Sequence, residues 1–295
     1  MTDTANRPRR SALYMPGANS RALEKAKSLP ADAVILDLED AVAPEAKAEA
    51  RDTVTAAVKS GGYGPREVII RINGLDTEWG LDDMAAAVAA GPDAILAPKV
   101  IDGGDVERLS DAMTRAGAGD EVKLWVMIEM PMALINIDDI ASAAGRTRLS
   151  AFVMGTNDLA KELRARPTPE RVAFQWALSQ TVNAARAYGI IAIDGVYNAI
   201  GDEAGLKAEC EQGANMGFDG KTLIHPSQIE TCNNVFAPDP ADVDQARAVI
   251  EAFAQPENAG KGVIKVNGKM TELLHLEEAR RLVAVQEAID SMATA

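Results

Sequence analysis

The sequence has few of the residues that build disulfides, zinc sites and histidine-centred active sites. Its 295 residues include two cysteines, Cys210 and Cys232, and two histidines, His225 and His275. The cysteines lack the spacing of a metal or redox motif, so we expect free thiols in a cytoplasmic protein. A lone histidine at a strand end is more often structural than catalytic, which disfavours a zinc site or a histidine-centred hydrolase.

Positive charge and long apolar runs are also scarce. The chain has 30 lysines and arginines against 44 aspartates and glutamates, a net charge of −14. This balance repels nucleic acid and no basic stripe offsets it, so that class of partner is set aside. No apolar run has the length of a transmembrane helix or of a signal peptide. We therefore expect no membrane partner and a cytoplasmic location.

Two common catalytic motifs are missing as well. No GxGxxG string opens a helix after a strand, which weakens a dinucleotide-binding interpretation. No GxSxG string is present, which argues against a nucleophilic serine.

The sequence does contain a regular alternation of strand-like and helix-like segments. Short apolar runs, several of them continuous as in strands covered on both faces, are separated by Ala-rich amphipathic stretches. This alternation predicts a (β/α)₈ TIM barrel over residues 1–235, with a doubly wound open sheet as the alternative. The eight runs lie at 11–17, 33–40, 67–74, 94–100, 123–130, 149–158, 191–197 and 221–226.

The pattern changes in the last sixty residues. We expect residues 236–295 to form a C-terminal helical extension, with one helix at 240–255, a linker at 256–268 and a final helix from about 271 to 293. Such a segment is too long for an ordinary cap, so we expect it to pack on the barrel or on a neighbouring subunit.

Two of the apolar runs deliver a carboxylate at their ends, Glu129 in one and Asp158 in the next. An acidic side chain on a buried strand is costly unless its charge is paired or bound to a metal. Because the C-terminal ends of barrel strands form the active-site face, these two carboxylates are expected to meet there. Two carboxylates, completed by waters and substrate oxygens, suit Mg²⁺. The alternative is that each caps a helix or pairs with Arg71 or Lys99.

Further charged residues fall at the ends of the second and third runs. Arg71 follows apolar residues that carry its guanidinium inward, where it can bind carboxylate or carbonyl oxygens. An ion pair of Arg71 with Asp37 or Glu39 is the structural alternative, and it can coexist with substrate binding. Alternation places Asp37 and Glu39 on one strand face, and we expect Asp40 to lean towards Lys47 or a helix N-terminus.

The string YMPGANSRALEKAK indicates a strand, a turn and a helix. Backbone N–H groups at such a helix start attract anions, and Arg21, Lys25 and Lys27 add positive charge. Phosphate binding is one interpretation, and a solvated helix face is equally consistent with the two lysines.

Taken together, several strings resemble the citrate lyase β-subunit-like (CitE-like) proteins of the HpcH/HpaI aldolase superfamily of CoA-ester lyases. The resemblance covers roughly residues 10 to 290 and is strongest to the branch of malyl-CoA lyases and (3S)-malyl-CoA thioesterases. The strings that carry it are RSALYMPGANSRALEKA, AVILDLEDAVAPEAKAEAR, IIRIN, ILAPKV, IEMP, GTNDLA, DGVY and GFDGKTLIHPSQI.

The resemblance implies a (β/α)₈ barrel with Mg²⁺ bound by Glu129 and Asp158 and an α-keto acid or leaving carbonyl held by Arg71. It also implies a coenzyme A site near Asn19 and Arg21, to which we add Lys25 as a candidate. Acyl-CoA and small keto acids are the implied substrates. Family members are trimers or hexamers whose C-terminal segment covers a neighbour's site, and we expect a homotrimer or homohexamer here.

One departure from the family concerns Glu272. Lyases of the family carry an aspartate in a GxxxDxP-like string, where this chain has GKMTELLH, an ending that resembles the thioesterase-like branch. We expect reversible retro-Claisen cleavage of an ester such as (S)-malyl-CoA to glyoxylate and acyl-CoA. The alternatives are thioester hydrolysis, or a citrate lyase β-like subunit acting on an acyl-carrier-protein thioester. The candidate catalytic residues are Arg71, Glu272, Glu39 and Asp37.

Overall fold

The computed structural model describes residues 6–293, which divide into two compact units. The first, Arg9–Phe236, is a closed barrel of eight parallel strands in the order of the chain. Seven predicted runs each contain one strand, and the eighth strand begins one residue before its predicted run, so the barrel is confirmed and the open sheet is wrong. The strands are β1 (Ser11–Pro16), β2 (Ala33–Asp37), β3 (Glu67–Arg71), β4 (Ala94–Ala97), β5 (Lys123–Ile128), β6 (Leu149–Met154), β7 (Ile191–Asp194) and β8 (Gly220–Leu223).

Ten helices of this unit connect and surround the strands. They are α1 (Ser20–Ala26), α2 (Lys47–Ser60), α3 (Gly80–Ala90), α4 (Gly103–Arg115), α5 (Pro131–Ile135), α6 (Ile137–Ser142), α7 (Thr156–Leu163), α8 (Gln175–Tyr188), α9 (Glu203–Met216) and α10 (Ile229–Phe236). None of the helices within residues 6–293 is both long enough and apolar enough to span a membrane.

The strand side chains form two apolar layers. One fills the barrel and includes Ile35, Ile69, Leu96, Trp125 and Val153. The alternating positions pack outward against the helices and form the larger core. Both faces of each strand are therefore buried, which is why the sequence shows continuous apolar runs rather than alternation.

The second unit comprises residues 237–293 and the described residues 6–8. It contains α11 (Pro240–Ala254), the hairpin strands β9 (Val263–Val266) and β10 (Lys269–Glu272), and α12 (Leu273–Ala293). Its small core joins apolar side chains of both helices and of β9.

The hairpin corrects the prediction of an all-helical extension with a linker at 256–268. Its turn is Asn267–Gly268, both with positive φ (48° and 83°), as a tight two-residue hairpin turn requires. An Asn-Gly pair between two β-prone runs is a hairpin signal that the helical interpretation passed over. The final helix consequently begins at Leu273.

Barrel closure depends on a close approach at the β8–β1 seam. A Cβ on Gly220 would lie 1.8 Å from the carbonyl oxygen of Arg9 and 2.7 Å from that of Arg10. These are backbone atoms, so they cannot move aside as a side chain would.

We expect Gly220→Ala to destabilise the protein by about 1–3 kcal/mol, the usual cost of overpacking. Urea unfolding would measure the change in the free energy of unfolding. The control is Gly145→Ala, where an added Cβ meets no atom within 4 Å. Equal stability of the two variants would show that the seam tolerates the extra carbon.

Candidate active site

A cavity of about 310 Å³ opens at the C-terminal ends of the barrel strands. Such an edge gathers residues that are distant in sequence, because every parallel strand ends there. Its walls come from all parts of the barrel except the β4 end. The lining residues are Tyr14, Asp37, Asp40, Ala41, Arg71, Met127, Glu129, Met154, Gly155, Thr156, Asn157, Asp158, Val196, Thr222 and Ile224.

Glu129, the first residue after β5, is 1% exposed. Its Oε1 accepts the backbone N–H of Lys99 at 2.8 Å. Burial raises the pKa of Glu129 to about 7; the Lys99 N–H opposes this rise, whereas nearby Glu39 and Asp158 add to it. A buried carboxylate is stabilised either by taking up a proton or by binding a cation.

Asp158 lies in the first turn of α7 and lines the same cavity as Glu129. The structure therefore brings together the two carboxylates predicted to meet. Within residues 6–293 no group of three or more His, Cys, Asp or Glu side chains has the arrangement of a metal cage. Two carboxylates in an open cavity fit Mg²⁺, which keeps several waters and takes substrate oxygens as further ligands.

Arg71, at the end of β3, makes the ion pairs named as its structural alternative, and it also lines the cavity. Its Nε and Nη2 donate to the two carboxylate oxygens of Asp37 at 2.7 and 2.6 Å. Its Nη1 lies 2.8 Å from Oε2 of Glu39. Both carboxylates are buried, so the guanidinium is held in one plane with its charge balanced.

The position of Asp40 differs from the prediction. Its carboxylate lies 3.5 Å from Nη1 of Arg71 and is exposed, rather than leaning towards Lys47. The Lys47 ammonium instead donates to the carbonyls of Leu38 and Glu39 and to Oδ1 of Asn73, at 2.7–2.9 Å. Those three acceptors occupy the three N–H donors of the ammonium, and two of them are carbonyls of the residues just after β2.

Tyr14 is a site residue that sequence reasoning missed. Its ring lies 4.8 Å from the guanidinium carbon of Arg71, a cation–π distance. Burial raises the pKa of the phenol well above its usual value, despite the opposing charge of Arg71. A tyrosine inside an apolar strand looks like a core residue. The available signal was the alternation along β1, which places Tyr14 on the face that points into the barrel, near the C-terminal end of the strand.

The predicted coenzyme A residues lie outside this lining. Asn19 caps α1, its side chain accepting the backbone N–H of Ala22 at 3.1 Å. Arg21 and Lys25 are exposed on α1. Their contact with coenzyme A stays a prediction.

Glu272 belongs to the second unit, where it ends β10. Its side chain is exposed, and its backbone N–H donates to Nδ1 of His275 at 3.0 Å. Its role as a base also stays a prediction.

Other polar residues at strand ends are structural. Asp194 is buried against Arg171 at 2.8 Å and Lys221 at 3.2 Å, and Lys221 also contacts Glu209 at 2.6 Å. Burial opposes ionisation of Asp194, yet Lys221 and Arg171 hold its pKa below the usual value. His225 caps a short turn by accepting the N–H of Ser227, in line with its structural interpretation.

Known proteins resemble this chain along nearly all of its length. The HpcH/HpaI aldolase/citrate lyase family model matches residues 10–226. A (3S)-malyl-CoA thioesterase of Cereibacter sphaeroides is 50% identical over 282 residues, which is 96% of each chain. The citrate lyase subunit beta of Escherichia coli K12 is 37% identical over 286 residues, 95% of this chain and 94% of that one.

A solved structure shows the same architecture. CitE from Mycobacterium tuberculosis, in complex with magnesium, acetoacetate and coenzyme A, has a TM-score of 0.73 and 25% identity. The match covers 96% of this chain and 99% of that chain. The resemblance predicted from the motif strings is thereby confirmed.

We expect Asp37→Ala to destabilise the protein by about 3–5 kcal/mol, because it breaks a buried ion pair and leaves the Arg71 charge undercompensated. Asp40→Ala removes an exposed carboxylate near the same guanidinium and should change stability by less than about 0.5 kcal/mol. Urea unfolding of both variants is the measurement. Similar losses would contradict the role given to the Asp37 pair.

The raised pKa of Glu129 predicts a pH dependence of the metal-free protein. Ionisation of the buried carboxyl costs stability, so the stabilisation present below the ordinary pKa of 4.5 is lost as pH rises through about 7. With a chelator present, the free energy of unfolding of Glu129→Gln, measured relative to that of the wild type, should increase by about 3 kcal/mol between about pH 5 and about pH 8. A stability difference that does not change with pH would contradict the assignment.

Proposed function

The chain belongs to the HpcH/HpaI aldolase/citrate lyase family, and from this premise we propose that it is a Mg²⁺-dependent enzyme acting on a short 3-hydroxy-dicarboxylyl-CoA ester such as (3S)-malyl-CoA. The observation that carries the proposal is the meeting of Glu129, Asp158 and Arg71 in one cavity. Two carboxylates suit the cation, and a fixed guanidinium suits the oxygens of an anionic substrate.

Each of the barrel residues in the cavity would have a separate role in the reaction. Bound Mg²⁺ would supply positive charge to the hydroxyl and carboxylate of the substrate. Glu129 and Asp158 would hold that cation. Asp37 fixes the guanidinium of Arg71 through Nε and Nη2, so a developing carbonyl or oxyanion would bind at Nη1, in place of the weak acceptor Sδ of Met127 at 3.6 Å.

We propose thioester hydrolysis as the net reaction. Water adds to the thioester carbonyl, the C–S bond breaks, and malate and the thiol of coenzyme A are released. The support is similarity along the whole chain to relatives named (3S)-malyl-CoA thioesterase, together with Glu272 in place of an aspartate. Glu272 is then a candidate base for that water, contributed by a neighbouring copy in a homotrimer or homohexamer.

Carbon–carbon cleavage is the second candidate, favoured by similarity to citrate lyase subunit beta. The same barrel groups would hold the substrate, and the bond between the two middle carbons would break to give glyoxylate and acetyl-CoA. Glu272 would then deliver a proton to the enolate carbon.

The deciding experiment supplies purified protein with (3S)-malyl-CoA and Mg²⁺ and identifies the products. Malate with free thiol supports hydrolysis, whereas glyoxylate with acetyl-CoA supports cleavage. Glu129→Ala and Asp158→Ala should each lower kcat/KM by about 100-fold or more, the equivalent of a few kcal/mol of lost stabilisation. Either variant remaining fully active in chelated buffer would contradict the metal assignment.

The partner-dependent alternative has its own outcome. Inactivity of the wild type on every free CoA ester, with activity on an acyl-carrier-protein thioester, would favour a citrate lyase β-like subunit.

Glu272 can be tested by subunit mixing. Glu272→Gln alone should lose turnover while coenzyme A affinity is unchanged, since the residue is assigned to proton transfer and not to binding. If Glu272 serves a neighbouring barrel, co-assembly with Glu129→Ala subunits should restore part of the activity. An unchanged kcat in Glu272→Gln would remove the residue from the mechanism.

A further inference from the structure

Lys99 has an unusual backbone conformation at the end of a barrel strand. Its φ of 56° is in the left-handed region, which costs a residue with a side chain about 1–2 kcal/mol. The other non-glycine residues with positive φ among residues 6–293 are Arg164, Arg171 and Asn267. Arg164 ends α7 and Asn267 forms the hairpin turn, both ordinary uses of this conformation. Arg171 precedes a short 3₁₀ turn, and its side chain is held by Asp194. Lys99 ends no helix and forms no hairpin, so its strain calls for another compensation.

The backbone of Lys99 contacts the candidate metal ligand. Its N–H donates to Oε1 of Glu129 at 2.8 Å, thirty positions away in sequence. The conformation of one residue after β4 therefore decides where a hydrogen-bond donor meets the carboxylate after β5.

The side chain of Lys99 contacts the neighbouring network. Its Nζ donates to Oε1 of Glu39 at 2.7 Å, and Glu39 is the second ion-pair partner of Arg71. Lys99 thus contacts two groups. Its backbone contacts Glu129, the proposed metal ligand, and its ammonium contacts Glu39, a partner of Arg71.

Gly155 limits the movement of Glu129 from another direction. A Cβ on Gly155 would lie 2.4 Å from Cβ of Glu129 and 2.5 Å from its Oε2. The Glu129 side chain therefore packs directly on the backbone after β6 while Oε1 is held by the Lys99 N–H. Two fixed backbone elements restrict the orientation of this carboxylate.

We propose that Lys99 is a positioning residue whose left-handed backbone aims its N–H at Glu129 and thereby fixes the carboxylate plane for a divalent cation. The inference rests on the proposed Mg²⁺-binding function of Glu129. It assigns the effect to the backbone conformation of Lys99 and not to its charge, and this distinction can be tested.

The test compares Lys99→Asn with Lys99→Val. Both remove the ammonium, but asparagine adopts the left-handed conformation readily, whereas valine strongly resists it. Calorimetric titration with Mg²⁺ alone, without substrate, measures metal affinity directly. We expect Lys99→Val to bind Mg²⁺ about 10–100-fold more weakly than Lys99→Asn, the usual range for residues that orient a metal ligand.

The outcomes separate this inference from the proposed function. Equal Mg²⁺ affinity of the two variants, with normal binding by the wild type, would overturn the role of the Lys99 backbone alone. Absence of Mg²⁺ binding in the wild type, or wild-type affinity in Glu129→Ala, would instead contradict the metal assignment of Glu129.

A second measurement tests the contact between the Lys99 N–H and Glu129 even if Lys99→Val does not fold. In protein labelled with ¹⁵N-lysine, the amide signal of Lys99 is identified by its loss in Lys99→Asn. Its hydrogen exchange should quicken at least about tenfold in Glu129→Ala, because the acceptor is gone. Asp158→Ala, which removes the other cavity carboxylate, is the matched control and should leave the exchange rate unchanged. Equal rates in the two variants would overturn the proposed contact.

Discussion

A guanidinium inside a protein must have its charge balanced, and here Asp37 and Glu39 balance that of Arg71. The bidentate contact with Asp37 removes the rotational freedom of the guanidinium, and Oε2 of Glu39 lies 2.8 Å from the third nitrogen, Nη1. Glu39 in turn holds the ammonium of Lys99. The geometry of the cavity thus rests on one buried cation whose partners come from the adjacent strand end.

The charges of this network also indicate what the cavity accepts. Its lining carries four carboxylates, those of Asp37, Asp40, Glu129 and Asp158, and the single guanidinium of Arg71. When these groups are ionised, negative charge is in excess, and a bound divalent cation would reduce that excess. Burial is the largest cause of the raised pKa of Glu129, and the negative charges of Glu39 and Asp158 raise it further. A cation bound beside this carboxylate would oppose both effects.

Much of the barrel and of its site could be predicted, because both depend on local pattern. Continuous apolar runs located the strands. Charged residues at the ends of these runs were then the site candidates, namely Glu129, Asp158, Arg71, Asp37 and Glu39. What depended on tertiary contacts could not be predicted in this way. The left-handed backbone of Lys99 is compensated by a residue thirty positions away, and the place of Lys47 follows from the carbonyls of two residues just after β2. The hairpin, in contrast, had a local signal in Asn267–Gly268, which the helical interpretation of the extension passed over.

The division of the chain into two units bears on which bond is broken. On the proposed function, the buried groups of the barrel would hold a chelating hydroxy acid, and they would do so equally for hydrolysis and for carbon–carbon cleavage. The outcome depends instead on where a proton or a water is delivered, and Glu272, the candidate for that step, belongs to the other unit on an exposed hairpin end. A change there, such as the extra methylene of glutamate over aspartate, moves a base without disturbing any buried ion pair. Substitution at an exposed position costs little stability, whereas proton transfer is sensitive to displacements of an ångström. On this proposal, one substrate-holding barrel would serve either reaction, and the choice between the two would be made at Glu272.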